Sequence, residues 1–414
     1  MNASTISNPD QHESHTPVDT SRFPLTFRNG SSIFLISLAS LMMANLAPFI
    51  MTALGHLGFD ILTQGNILTC ALLASAVVGL GTARWASGRL RRPLAAVGLA
   101  IATIAFSLAT VVSEPALAVA GLIAGGAGIG TAISTSGAAL AALRNPNRVS
   151  AASALVNRIC ITAILAMIPA FGISQGSVFG TLAGISLVGL ILVVWLPGTP
   201  PHAEPVALES KPDSRIIGST PKPIFVAGIA ILFIFPLWGT SEDAIWTMAP
   251  VLGSAVGLDE TATGFALSLA GAGGILGVLM VTILGNRIGR ALPLSITLVL
   301  GGGAKIAIAF TNDPMVLAGL IITINMIYAF AFALYLATAA GLDARGRWSG
   351  PLLGAYLVGS SFAPFIGSAL IDSVGIPTYA IIMGIVSFVV IAPTVAIARV
   401  SVAAEHAHAL ALEG

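Results

Sequence analysis

Residues 199–222 read TPPHAEPVALESKPDSRIIGSTPK, a polar, proline-rich stretch set between long apolar runs. Prolines and charges at this density neither continue a helix nor bury a core, so the segment reads as an interdomain linker. What flanks it decides the fold. Of the 414 residues 56% are apolar and only 8% charged, against roughly 25% charged in a soluble domain, and the mean hydropathy is +0.95. That is the composition of an integral membrane protein. A spanning helix needs about 20 apolar residues, and six such runs precede the linker while six follow it. The first six cover 31–55, 65–83, 94–112, 115–143, 151–172 and 178–196, and the second six cover 223–252, 262–284, 293–310, 315–341, 351–371 and 377–398. The expected fold is an all-α membrane protein with 12 transmembrane helices in two six-helix bundles. Residues 1–30 are expected to form a disordered tail, 31–198 the N-terminal half, 199–222 the linker, 223–398 the C-terminal half and 399–414 a second tail.

The charges give the orientation. Lys and Arg in short loops stay on the cytoplasmic side of a membrane. With the amino terminus inside, every Lys and Arg except Arg158 and Lys305 falls on that side, whereas the opposite loops collect Asp60, Glu114, Asp259, Glu260, Asp313 and Asp372. Both termini and the linker are then expected in the cytoplasm, and the protein in a plasma membrane, the inner one in a bacterium. A net charge of +1 without an extended basic block leaves no footprint for nucleic acid. Cys70 and Cys160 both lie in apolar runs and offer neither a disulfide framework nor a metal site. The histidines lack metal-ligand spacing. Gly125–Gly130 fails the dinucleotide pattern, and Gly172-Ile173-Ser174-Gln175-Gly176 lacks the strand-turn-helix setting of a nucleophile elbow. No catalytic residue, metal or cofactor is expected, and no obligate protein partner is evident.

The halves repeat one another at a spacing of about 200 residues, the kind of internal register that marks a duplicated unit. Ala120-Gly121-Leu122-Ile123 recurs as Ala318-Gly319-Leu320-Ile321, Ser113-Glu114-Pro115 answers Asn312-Asp313-Pro314, and Gly88-Arg89 answers Gly289-Arg290. Two six-helix halves, a polar linker and a basic turn after the second helix of each half resemble the major facilitator superfamily of secondary transporters. That family's loop runs Gly-x-Leu-Ala-Asp-Arg-x-Gly-Arg-Arg. The second copy here, Thr282-Ile283-Leu284-Gly285-Asn286-Arg287-Ile288-Gly289-Arg290, follows it with Asn at the Asp position and Thr at the first Gly. The first copy keeps Gly81, Gly88 and Arg89 but has Trp85 and Ala86 at the Asp and Arg positions, which puts the family's charge latch in doubt there. The resemblance implies a gating loop at Gly81, Gly88, Arg89, Asn286, Arg287, Gly289 and Arg290. Positive-inside anchoring would account for the same arginines.

Ionisable groups at membrane depth cost at least about 2.5 to 3.5 kcal/mol and mark sites by default. Arg158, preceded by Asn157, lies about eight residues into the fifth span. It either snorkels back to the cytoplasmic interface or faces a central cavity, where its planar fork suits a carboxylate. Lys305 is too deep in the ninth span to reach a surface, so it pairs with a carboxylate of a neighbouring helix or meets the substrate. Glu242 and Asp243 follow Pro236 and Gly239 in the seventh span, residue types that interrupt helices where they line a transport cavity. Adjacent carboxylates in partly dehydrated surroundings are suited to taking up and releasing a proton; the alternative is a solvated outer mouth. Asn45, Ser134, Thr135, Ser136, Trp238, Trp246, Asn325, Tyr328 and Tyr335 fall in the first, fourth, seventh and tenth spans, which line the cavity in the resembled family. The function expected is a secondary active transporter working by alternating access. Its partners would be the bilayer, protons and a small organic solute, an anion such as a carboxylate, held by Arg158, Lys305, Asn45, Asn157, Trp238, Asn325 and Tyr328, with Glu242 or Asp243 coupling the proton. Proton-driven efflux of an amphipathic compound and a non-transporting sensor or scaffold are the competing readings.

Overall fold

The computed structural model describes residues 22–144, 146–198, 221–284, 289–342 and 347–413. Its helices coincide with the twelve apolar runs. Spans 2 to 6 are Ile61–Ala86, Arg91–Val111, Pro115–Ala141, Pro146–Phe171 and Gln175–Leu192, the last closed by the short turn Val193–Trp195. Spans 8 to 10 are Glu260–Leu284, Ala291–Ile308 and Pro314–Leu342. The helices are apolar on nearly all sides, as a segment packed on one face and bathed in lipid on the other must be. Their hydroxyls turn back onto their own carbonyls, as when Thr110, Ser186 and Thr338 donate to Phe106, Leu182 and Leu334.

All four remaining spans are broken, the last at Val390 before Pro393, and a proline follows each break. Span 1 is Phe27–Asn45 followed by Ala47–His56, and span 7 is Lys222–Thr247 followed by Ala249–Ala255. The steps fall at Leu46 and Met248, each followed by an Ala-Pro pair, Ala47-Pro48 and Ala249-Pro250. Proline has no N–H and its ring collides with the preceding turn, so the two halves step at the same place for the same reason. Span 11 runs as Ser349–Ser361, breaks at Phe362 before Pro364, and continues from Ala363. The chain reverses into span 12 at Gly375, whose φ of 79° is open to glycine and strained for other residues.

At the ends, the Asp60 side chain caps span 2 by accepting from the Thr63 N–H, a bond that lowers the Asp60 pKa. Two boundaries differ from those expected. The first helix begins at Phe27, capped by Thr26, so residues 27–30 belong to a span rather than to the tail. The last helix, Ile391–Glu413, runs through most of the expected second tail, because its alanines and leucines favour helix and Arg290 bonds Ser401 and Glu405 at 2.9 and 2.7 Å. Residues 199–220 of the linker lie outside the described residues.

Between the halves, span 5 packs on span 8 and span 2 on span 11. Toward the acidic end of the bundle they are tied directly. His56 Nε2 lies 2.9 Å from Glu260 Oε1, Trp246 Nε1 donates to the Asn45 carbonyl, and the Phe365 N–H donates to Thr69 Oγ1. Within the N-terminal half spans 3 and 4 approach closely. There a Cβ on Gly128 would stand 2.5 Å from the Gly98 carbonyl oxygen, and one on Gly98 would stand 2.7 Å from the Gly128 carbonyl oxygen. Backbone cannot yield as a side chain can. Gly128→Ala should therefore separate these spans and cost about 1–3 kcal/mol, read as a lower unfolding temperature in detergent; an unchanged transition would show the contact to be looser than drawn.

Candidate functional site

Lys305 lies near the end of span 9 and is 0% exposed. A primary ammonium in that setting needs all three protons bonded, and it has them: Glu242 Oε1 at 2.7 Å, Ser387 Oγ at 2.9 Å and Ser241 Oγ at 3.0 Å. Glu242 is 6% exposed, with its second oxygen buried and without a partner. Of the two settings open to Lys305 from the sequence, the pairing with a neighbouring helix is therefore the one observed. With no donor left over and no exposed surface, Lys305 is not placed to hold a solute in this conformation, and Glu242 is its counter-ion. The pair pins span 9 to span 7, and Ser387 adds span 12.

Asp243, the next residue, points to a different face. Its Oδ2 accepts from the Tyr356 hydroxyl at 2.7 Å and from Ser360, which are four apart on span 11 and so share one side of that helix. The Tyr356 hydroxyl also lies 2.7 Å from that of Tyr328. Because Tyr356 has one proton and gives it to the carboxylate, Tyr328 is the donor in the second bond. A chain of hydroxyls thus runs from Tyr328 through Tyr356 to Asp243.

Arg158 points inward and crosses between the halves. Its Nη2 donates to Asn325 Oδ1 of span 10 at 2.6 Å, while its Nε is buried without a partner. The guanidinium lies over Gly274 of span 8, where a Cβ would stand 1.9 Å from Nη2. Among the described residues no carboxylate pairs with Arg158. Its setting is therefore unlike that of Lys305: one neutral amide faces a full positive charge.

The other expected positions divide. Tyr328 and Asn325 join the groups above. Asn45 bonds back to its own helix at Leu41 and receives Trp246 on its backbone oxygen, at the seam between the halves. Asn157 is buried and donates to Ser37 Oγ of span 1, a bond that ties two spans of one half. Trp238 is 1% exposed and stacked between Phe235 and Tyr328. Tyr335 is likewise buried and bonds Thr394 of span 12. Tyr356, Ser360 and Gly274 escaped the sequence reading. Only the four-residue spacing of Tyr356 and Ser360 on an otherwise apolar span could have signalled them.

In the basic turn after span 2, Arg89 is exposed, and the locking falls to its neighbours. Arg91 donates to the Ala86, Pro197 and Gly198 carbonyls, and Arg92 donates to the Leu196 carbonyl at 2.5 Å, fastening the turn to the end of span 6. Gly81 stands within span 2 and Gly88 in the turn. In the second copy Gly289 has a φ of 66°, and Arg290 holds the last helix. Asn286 and Arg287 lie outside the described residues.

These contacts predict a contrast in stability. Removing one member of a buried pair strands the other charge at a cost of about 3–5 kcal/mol, so Lys305→Ala should sharply reduce folded protein in the membrane. Lys305→Met combined with Glu242→Leu should recover much of it. Equal yields of Lys305→Ala and wild type would contradict the pairing.

The chain matches the family model described as Major Facilitator Superfamily over residues 32–342. No curated protein matches it in sequence. Among solved structures, a D-xylose-proton symporter is similar with a TM-score of 0.66 at 14% identity, over 89% of this chain and 95% of that one. The nucleoside transporter NupG is similar with a TM-score of 0.63 at 14% identity, over 88% and 98%. The human organic anion transporter MFSD10 has a TM-score of 0.63 at 15% identity, over 89% and 99%. At such identities the likeness is one of fold. With twelve spans in two halves that break at matching positions, and a family match covering most of its length, this chain belongs to the Major Facilitator Superfamily.

Proposed function

We propose that the protein is a secondary transporter that carries a small organic anion between its halves by alternating access, coupled to protons through Asp243. Arg158 is the observation that carries this reading. A half-buried guanidinium between the two halves, with one neutral partner and an unpaired N–H, is suited to an anion that completes its hydrogen bonds and its charge balance. Asn325 then serves as a stand-in that the solute displaces. Asp243 supplies the second element: hydroxyls hold it, no cation bonds to it among the described residues, and it lies one residue from the Lys305–Glu242 pair. A proton is the natural neutraliser for such a carboxylate when the halves rearrange. The ties at the acidic end favour reading this conformation as closed there. The basic side chains gathered at the opposite end favour a cytoplasmic placement for that face and for both termini, with the protein in a bacterial inner membrane.

The reading predicts that reconstituted vesicles accumulate organic acids under an inwardly directed proton gradient. Arg158→Ala, with normal membrane abundance, should lower uptake roughly tenfold to a hundredfold, the range of a lost hydrogen bond to charge. In Asp243→Asn the accumulation should lose its response to the gradient. Full uptake in the arginine variant would reject the site, and a wild type indifferent to the gradient would reject the coupling.

A further inference from the structure

Aromatic residues make up 7% of the chain, yet six of them gather at one depth beside Asp243: Phe235, Trp238, Tyr328, Phe332, Tyr335 and Tyr356. The cluster has two layers. Phe235, Trp238 and Tyr335 are buried in the C-terminal half, with Trp238 centred 5.0 Å from Tyr335 and 6.1 Å from Phe235. Tyr328, Phe332 and Tyr356 lie over them and are only half-buried. Tyr328 stacks on Trp238 at 5.6 Å with planes 23° apart, Tyr356 on Phe235 at 5.1 Å and 28°, and Phe332 meets Tyr356 edge-on at 84°. The hydroxyl chain ending on Asp243 fixes the two tyrosines further. The outer layer is thus a preformed aromatic surface whose rings are held from behind. Arg158 reaches the same face of span 10, because its partner Asn325 lies three residues before Tyr328 on that helix.

We infer that the solute is a carboxylate bearing an aromatic ring, its carboxylate on Arg158 and its ring on the shelf of Tyr328, Phe332 and Tyr356; the inference rests on the organic-anion reading above. A rigid shelf loses little freedom on binding and offers a second ring both the offset and the edge-on geometry that aromatic pairs prefer. An aromatic amine finds the same rings but meets Arg158 as a like charge, while Asp243 already accepts from two hydroxyls. A saturated acid satisfies Arg158 and forgoes the ring contacts. A short acid such as acetate reaches Arg158 and leaves the shelf uncovered.

The test is flux into reconstituted vesicles of labelled benzoate and phenylacetate against their saturated counterparts, cyclohexanecarboxylate and cyclohexylacetate, with benzylamine, acetate, lactate and octanoate alongside. The aromatic acids should be preferred over the saturated ones roughly twofold to tenfold in kcat/KM, the range of an aromatic pair. Phe332→Leu, which keeps the surface apolar, should bring that ratio toward one by lowering kcat/KM for the aromatic acids. Equal rates for the aromatic and saturated acids, or a ratio that survives Phe332→Leu, would overturn the aromatic preference and leave the anion reading standing. Refusal of every carboxylate in the panel would overturn both, and preference for benzylamine would reverse the assigned charge.

Discussion

The arrangement of this protein turns on the cost of placing charge inside a membrane. Four ionisable side chains lie at depth, and the fold treats them unequally. Lys305 and Glu242 neutralise one another within a single half, with Ser241 and Ser387 taking the remaining protons of the ammonium. Arg158 and Asp243 have neutral partners: an amide for the cation, hydroxyls for the anion. The first pair holds helices together. The second pair keeps its charge available, at an energetic cost that packing elsewhere offsets.

That division suits a protein built of two bodies. Contacts that stay within a half, such as Asn157 with Ser37 and Arg290 with Glu405, can persist through a rigid-body rearrangement. Under the proposed alternating access, contacts that cross between the halves are the ones exchanged, among them His56 with Glu260, Trp246 with Asn45, and Arg158 with Asn325. The first two lie toward the acidic end, where they hold that side together. The third lies deeper, where a solute could exchange with it. Matching breaks at Leu46 and Met248 show the two halves carrying the same proline step, so the duplication extends from sequence into local backbone geometry.

Much of the fold was legible because hydropathy and charge act locally. The twelve spans needed only windows of about 20 residues. The depth of Arg158 and Lys305 was equally plain. Their partners were not, because Glu242 lies 63 residues from Lys305 and Asn325 lies 167 from Arg158, and pairing at such distance depends on how each helix is rotated about its axis. The same limit hid Tyr356 and Ser360, ordinary residues in an apolar span until rotation turns both toward Asp243. Trp238 and Asn157 show the converse, since polar or aromatic character at membrane depth did not settle which neighbours each side chain meets.

Transport as proposed requires Arg158 to be an available cation in a crevice that opens between the halves. The most direct measurement is the alkylation rate of Asn325→Cys, with Cys70 and Cys160 replaced by serine, using thiosulfonate reagents that differ only in charge. The anionic reagent should react faster than the cationic one, and the preference should vanish when Arg158 is also changed to glutamine. A faster reaction with the cationic reagent, or no reaction with either from both sides of the membrane, would contradict it.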